Sequence, residues 1–536
     1  MNLSIYGVGS PRRKAWLAVD LGVAFAGDDL PGIEVILPDV RFLDEERRNL
    51  VGLVLTHAHE DHYGAIVELW PRLRVPIFAT RFTASLLEAK RLSEPGAPEI
   101  PVTVVPPGGR FKVPPFDVEL VPVAHSIPES NALIIRTPCG TVLHTGDWKI
   151  DKTPLIGPPT DEVKLRRLGE EGCLAVIGDS TNAIRDGRSP SERDVASTLA
   201  GLIASAPGRV AVTTFASNVA RVQAVAEAAR ACGREVVLVG RAMERIVQVA
   251  RETGYLKGVP EFRGTDVYGY LPRDKVVALC TGSQGEHRAA LARIARDEHP
   301  DVTLGKGDRV IFSSRTIPGN ERPVGRVING LVRQGIEVIT DRTHLVHVSG
   351  HPRRAELEEM YGWVRPRILV PVHGEALHLA EHAALGRKLG VPETLTCRNG
   401  DVVRLAPGPA QIIDELPQGQ LYRDGRLIIS AEQRTVADRR RLGFSGVVSI
   451  AFALDVRGDL AGSPVVESLG IPELTADGRR LDDVAHEAVA EALDSLPRAR
   501  RRDPDSVADA VKRAVRAAVA VPWGKKPLCL VHVLAL

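Results

Sequence analysis

Long apolar runs are missing from this chain, and so is a surplus of charge of either sign. No stretch approaches the about 20 consecutive apolar residues that a membrane-spanning helix needs. The opening residues, MNLSIYGVGSPRRKAW, hold no apolar core of a secretory signal, so a cytoplasmic protein with no membrane partner is expected. The net charge is only +2 with histidine neutral, which excludes a global positive field; a polyanion would have to be held in a local basic groove. Cysteine is also sparse, with six residues at 139, 173, 232, 280, 397 and 529. None form C-x-x-C, which excludes a thiolate zinc site and a disulfide framework. They read as reduced, mostly buried thiols.

What is present is ordinary globular material in quantity. The 536 residues are 44% hydrophobic and 25% charged, and at about 100–200 residues per domain they suggest about three or four domains. The first 150 residues read as short strands: AWLAVD (15–20), IEVIL (33–37), VGLVL (51–55), VTVV (102–105), FDVELVPV (116–123), ALIIR (132–136) and TVLH (141–144). Helices are predicted over about 64–73 and 83–92. From Ser191, a plausible helix N-cap, helix and strand alternate, which predicts a parallel α/β sheet. After GIEVIT come HVSGH, a helix over about 353–364 and the strand-then-histidine segment ILVPVHGE. From about Gln418 a small α+β module follows, with helices over about 482–495 and 504–519. The charge run RARRRD (498–503) reads as solvated surface. The expected domains are therefore 1–190, 191–345, 346–417 (a return to the first style) and 418–536.

The chemistry concentrates in LTHAHEDHYGA (55–65). His57, His59, Asp61 and His62 leave one strand end together, and imidazole with carboxylate suits Zn²⁺ or a harder ion such as Mn²⁺. Four ligands this close cannot all reach one tetrahedral ion without strain; two ions about 3.5–4 Å apart could divide them. Further candidates sit at other strand ends: His125 after FDVELVPVA, Asp147 after TVLHTG, and His373 after RILVPV. A lone histidine in such a place is usually a satisfied core or surface residue. Seven ionisable groups in matching contexts are a different matter, because burying them unpaired would be very costly.

These residues resemble a family. H-x-H-x-D-H after a strand is similar to the metallo-β-lactamase superfamily, and the wider set is more specific. AHSIPES (124–130), HTGDWKID (144–151), GDSTNA (178–183), TFASNVARVQ (214–223), CTGSQGE (280–286), FSSRTIPGNE (312–321), HVSGH (347–351) and PVHGE (371–375) resemble the β-CASP enzymes of the ribonuclease J family, nearly end to end. The resemblance implies a metallo-β-lactamase αββα sandwich interrupted by a β-CASP α/β domain, with a small C-terminal α+β domain. It implies two divalent ions, Zn²⁺ first, with Mn²⁺ or Mg²⁺ as alternatives. His57, His59 and His125 would hold one ion, Asp61, His62 and His373 the other, and Asp147 would bridge them. Asp20 and Asp179 would support the ligands from behind. His351 would contact the scissile phosphate or help protonate the leaving oxygen. Ser217, Asn218, His347, Ser349 and Gly350 would bind an RNA 5′-phosphate. Glu60 receives no role. Two departures stand out: the family pattern has one more strand and a Gly-rich turn before MNLSIYG, without which the opening sheet is expected to have an unpaired edge, and His287 and Pro352 replace an expected proline and a small residue.

The expected activity is hydrolysis of single-stranded RNA, as a 5′-monophosphate-dependent 5′→3′ exonuclease with endonuclease activity, in RNA processing and decay. A homodimer or tetramer and RNA-decay partner proteins are implied as well. Two rivals are a hydrolase of small esters on the same scaffold and a catalytically impaired RNA-binding paralogue. The large α/β insertion speaks against the first, and seven filled ligand positions against the second.

Overall fold

The computed structural model describes residues 1–10 and 13–536. Two β-sheets face each other around the first core. One has the strand order Ser4–Ser10, Arg13–Val19, Leu50–Val54, Ile77–Ala79, Val102–Val104. The other has seven strands, in the order Glu393–Thr394, Ile368–Val372, Ala175–Asp179, Gly140–His144, Asn131–Thr137, Phe116–Pro122, Arg110–Val113. Alternate residues of a strand point to opposite faces, so Leu17, Val19 and Val54 of the first sheet meet Val118, Leu120, Leu133 and Ile135 of the second. The outer face of the seven-stranded sheet is covered by the helices Glu162–Glu171, Arg354–Val364 and Ala376–Lys388, through Leu165, Met360, Trp363 and Leu385. Ser4–Ser10, which the strand pattern of the sequence did not single out, is an edge strand paired with Arg13–Val19.

A third sheet is inserted between these strands in the sequence. It is wholly parallel, in the order Glu235–Val239, Val276–Cys280, Val210–Thr213, Arg309–Phe312, Glu337–Ile339. Its strands are apolar runs with buried side chains, as expected where crossover helices cover both faces. The first helix, Glu192–Ala204, starts on a capping box in which Ser191 and Asp194 satisfy each other's end.

By compactness the chain divides into two units, Met1–Ala24 with Leu37–Gln420, and Phe25–Ile36 with Leu421–Leu536. The second contains a three-stranded sheet in the order Val465–Leu469, Val447–Leu454, Leu528–Ala535. Helices Leu481–Ser495 and Pro504–Trp523 bury Leu481, Ala485, Val489, Val507, Val511 and Val515 against one face of it. Arg498 and Arg500 of the charge run are exposed. Among the described residues no helix is long and apolar enough to cross a membrane.

Candidate metal centre

Six strands of the two facing sheets deliver their C-terminal ends to one place. Asp20 follows Arg13–Val19, the His57–His62 loop follows Leu50–Val54, and His125 follows Phe116–Pro122. Asp147 follows Gly140–His144, Asp179 closes Ala175–Asp179, and His373 follows Ile368–Val372. Asp20 and His373 have φ of +63° and +54°, backbone strain of the kind that persists where surrounding structure over-determines a site. The metal loop lies flush on Gly22, where a Cβ would fall 1.8 Å from the Asp61 carbonyl oxygen.

Two groups of ligand atoms share Asp147. In the first, His57 Nε2 lies 3.0 Å from His59 Nδ1, and His125 Nε2 lies 3.1 Å from the same nitrogen. Asp147 Oδ2 is 3.7 Å from both His57 Nε2 and His125 Nε2. In the second, His62 Nε2 is 3.3 Å from Asp147 Oδ2 and 3.5 Å from Asp61 Oδ2, while His373 is 2.7 Å from Asp147 Oδ1 through Nδ1 and 3.6 Å from Asp61 Oδ2 through Nε2. For ligands about 2.0–2.1 Å from a tetrahedral ion the edges are about 3.4 Å, so, apart from the 2.7 Å hydrogen bond between His373 Nδ1 and Asp147, these spacings and this N/O donor set fit a divalent ion in each group. The seven residues singled out by sequence all converge here, with Asp179 and His351 forming a third group around Asp147.

The tautomers follow from what stands behind the rings. Thr56 donates its hydroxyl to Asp20 Oδ2 (2.8 Å), so its oxygen accepts from His57 Nδ1 (2.9 Å). His62 Nδ1 donates to Asp20 Oδ2 (2.7 Å), and His125 Nδ1 donates to the Gly350 carbonyl (2.8 Å). In all three rings Nδ1 is therefore an N–H and Nε2 the nitrogen turned to the cluster, as ligation requires. A Cβ at Gly350 would meet His125 Nδ1 at 2.5 Å, so only glycine brings that carbonyl so near. Burial pushes His57 and His125 well down and His59 to about 4, keeping them neutral. Burial also works against charge on Asp61, but His62 and His373 hold it at about 2.

His62, His373 and His351 go the other way: burial lowers them, but the neighbouring carboxylates outweigh it, Asp147 first at His62 and His373. At His351, Asp179 and Asp147 push it up to about 9. Its Nδ1 donates to Asp179 Oδ2 (2.7 Å), leaving an N–H at Nε2 to donate elsewhere. The loop carrying it is pinned by Asn182, which donates to Ser349 Oγ (2.9 Å) and the His351 carbonyl (3.2 Å), and by Ser189, which donates to the same carbonyl (3.0 Å). Sequence reading missed Asn182 and Ser189 as supports; the signal for Asn182 was its place in GDSTNA. It missed Thr56 too, a small hydroxyl directly before the first ligand. Glu60, without a role in the sequence, is ion-paired to Lys90 at 2.7 Å and accepts from Tyr63.

Of the residues expected at an RNA 5′-phosphate, Ser349 and Gly350 lie against the metal cluster as described. Asn218 is buried and caps helix Val219–Ala231 by accepting from the Arg221 N–H (2.9 Å). Arg221, fully buried, ties that helix to the Val346 carbonyl (2.9 Å) and to Glu192 (2.9 Å), one residue before His347. His347 Nδ1 is buried without a hydrogen-bond partner, and burial, then Arg221, Arg315 and Lys149, push the ring to about 3. Ser217 is half-buried in the turn before the helix. Of the two replaced residues, His287 is exposed and Pro352 buried.

Comparison with known proteins agrees with this geometry. Residues 22–240 match the metallo-β-lactamase superfamily, 207–331 the ribonuclease J β-CASP domain, 335–395 the Zn-dependent metallo-hydrolase RNA specificity domain, and 434–536 the ribonuclease J C-terminal domain. Ribonuclease J of Sinorhizobium meliloti is 55% identical over 533 residues, 99% of this chain and 94% of that one. Ribonuclease J of Mycolicibacterium smegmatis is 41% identical (97% and 93% covered), and that of Thermus thermophilus 38% (97% and 91%). A solved structure of a protein of unknown function from Enterococcus faecalis shares the fold, with a TM-score of 0.51, 17% identity, and 74% and 95% of the two chains covered. With a divalent-metal donor set at the strand ends, a parallel α/β insertion and near full-length identity to these relatives, the chain belongs to the ribonuclease J family of β-CASP metallo-hydrolases.

Proposed function

We propose that this ribonuclease hydrolyses single-stranded RNA from a 5′-monophosphate end, 5′→3′, and also cuts internally, using two Zn²⁺ ions. His57, His59 and His125 serve one ion, Asp61, His62 and His373 the other, and Asp147 both. The single observation that carries this reading is the pair of ligand groups sharing one buried carboxylate, with the hydrogen-bonded His351–Asp179 pair beside them. Bound there, divalent ions supply a water that deprotonates near neutral pH and charge that offsets the developing phosphoryl anion.

The chain's own groups do the rest. Asp147 and Asp61 accept from the attacking water and orient it in line with the leaving 3′ oxygen. His351, held in place by Asp179, donates from Nε2 to the scissile phosphate and to that oxygen. Asp20 and Thr56 keep His57 and His62 in their ligating tautomers. His347 with Ser349, Gly350 and the Ser217–Asn218 turn forms the 5′-phosphate pocket. The unpartnered Nδ1 of His347 supports this, because a phosphate oxygen would supply the partner it lacks. The insertion, 191–345, closes over the strand from one side of the 1–190 and 346–417 parts, and 418–536 carries dimer or tetramer contacts. The protein works in the cytoplasm with RNA-decay partners.

The test is Asp147→Ala on 5′-monophosphorylated and 5′-triphosphorylated RNA, end-labelled, with wild type alongside. Wild type should degrade the monophosphorylated RNA faster, and the variant should lose more than the about 10–100-fold typical of an outer support. Full activity in the variant removes the metal assignment; equal wild-type rates on the two RNAs remove the phosphate pocket.

A further inference from the structure

Asn2 precedes Asp61 of the metal loop by 59 residues, in a segment with no metal-binding pattern of its own. Its backbone N–H donates to the Asp61 carbonyl (2.7 Å), and its carbonyl accepts from the Gly22 N–H (3.0 Å). Neighbouring bonds continue the seam: Leu21 N–H to the His62 carbonyl (2.7 Å) and Val23 N–H to the Glu60 carbonyl (2.9 Å). The side chain is thereby fixed over the loop. Its Nδ2 lies 3.1 Å from the Asp61 carbonyl, 3.1 Å from Asp61 Oδ2 and 2.9 Å from His62 Nε2.

The chemistry of those partners settles which end of the amide faces them. A backbone carbonyl and an ionised carboxylate are acceptors only, so Oδ1 turned towards them would oppose oxygen to oxygen. In its neutral, ligating form His62 keeps its hydrogen on Nδ1 against Asp20, so its Nε2 is then an acceptor as well. One NH₂ group therefore touches the cluster-facing atoms of both second-group residues that the loop contributes.

We propose that Asn2 is a positioning residue for the second ion: its carboxamide sets the Asp61 carboxylate and holds His62 in line before the ion arrives. This rests on the reading of Asp61 and His62 as ligands given above. The bond to His62 Nε2 uses the lone pair that ligation needs, so that bond is exchanged for the ion. The bond to Asp61 uses a carboxylate, which has further lone pairs to offer.

The experiment is Asn2→Ala in the full chain, which keeps both main-chain hydrogen bonds of residue 2. Ions are counted and their affinities measured by titrating metal-free protein with Co²⁺ against a chromogenic chelator, following the Co²⁺ absorption bands. Wild type should take up two ions. Asn2→Ala should bind one unchanged and the other about 10–100-fold more weakly, with an unaltered circular dichroism spectrum of the metal-free chain. In an Asp61→Ala background, adding Asn2→Ala should cost nothing more, since the two act as one unit. Unchanged affinity for both ions in Asn2→Ala overturns the inference. So does an equal loss at both sites with an altered spectrum, which marks a merely structural role, or a full further loss in the Asp61→Ala background. If wild type itself binds fewer than two ions, the two-ion reading has failed first.

Discussion

Asp20→Asn is the sharpest perturbation of the metal centre, because it changes one atom in a buried hub without moving the chain. Asparagine tolerates the φ of +63° at this position about as well as aspartate does. The carboxylate accepts three hydrogen bonds: Oδ1 from the Thr56 N–H (2.8 Å), and Oδ2 from the Thr56 hydroxyl (2.8 Å) and from His62 Nδ1 (2.7 Å). The better asparagine rotamer puts its oxygen where Oδ2 was and turns its NH₂ onto the Thr56 N–H. One buried donor is then left facing another, at a cost of about 1–3 kcal/mol. The opposite rotamer leaves two donors opposed and is worse. The strain falls on Thr56 and His62 together, and Thr56 carries it to His57 Nδ1 (2.9 Å). Both ions should therefore weaken, each by about 10–100-fold, in contrast to the one-site loss expected for Asn2→Ala. Chelator competition at pH 7.5 is the assay, since a chain with several cores does not unfold as one two-state unit. Wild-type affinity at both sites would refute the role of Asp20 as the common brace, and loss at the His62 site alone would remove Thr56 from it.

Two further outcomes follow from buried charge in and beside the insertion. Arg221→Met leaves Glu192 unpaired where both side chains are almost fully buried, so the insertion should lose about 3–5 kcal/mol, read as faster hydrogen exchange in Val219–Ala231; exchange at the wild-type rate contradicts the pairing. His347 stays neutral down to about pH 3 in the folded chain but titrates at its ordinary 6.5 when unfolded, because burial and then Arg221, Arg315 and Lys149 disfavour its charge. The unfolded chain thus binds the extra proton between those values, and stability falls as pH drops from about 6.5 towards about 3. His347→Gln should flatten that part of the profile in thermal melts from pH 4.5 to 7.5, and superimposable profiles would contradict the burial of a neutral ring.

The pattern of elements was largely written along the chain. Val-, Ile- and Leu-rich runs ended by Gly, Pro or Asp marked seven strands of the two facing sheets to within a residue or two, and Ser191 marked its helix start, while Ile77–Ala79, Arg110–Val113, Ala175–Asp179 and Glu393–Thr394 went unmarked. These are local signals: apolar periodicity and end chemistry act within a turn or a strand. The strand Ser4–Ser10 escaped notice because glycines at 7 and 9 interrupt its apolar pattern, and the ring of Trp16 packs so closely that a Cβ at Gly7 would lie 2.3 Å from it. That contact exists only between two strands.

The candidate site divides along the same line. Spacing alone put His57, His59, Asp61 and His62 on one loop and marked that loop as metal-binding, because imidazoles and carboxylates crowded at a strand end have few other uses. The partners of that loop stand far off in sequence, His125 by 66 residues from His59 and His373 by 226 from Asp147. Resemblance to a family named them, but only the register of two sheets brings their nitrogens and oxygens within ligand spacing. Sequence could not decide which ring nitrogen faces an ion, since the tautomers are set by distant acceptors: Asp20, directly for His62 and through Thr56 for His57, and the Gly350 carbonyl for His125. Nor could it find Asn2, whose amide has meaning only where the chain's second residue crosses the loop sixty positions later. Residue type and spacing determined that metals could bind; the directions of lone pairs, which depend on atoms brought together from everywhere in the chain, were decided by the tertiary structure.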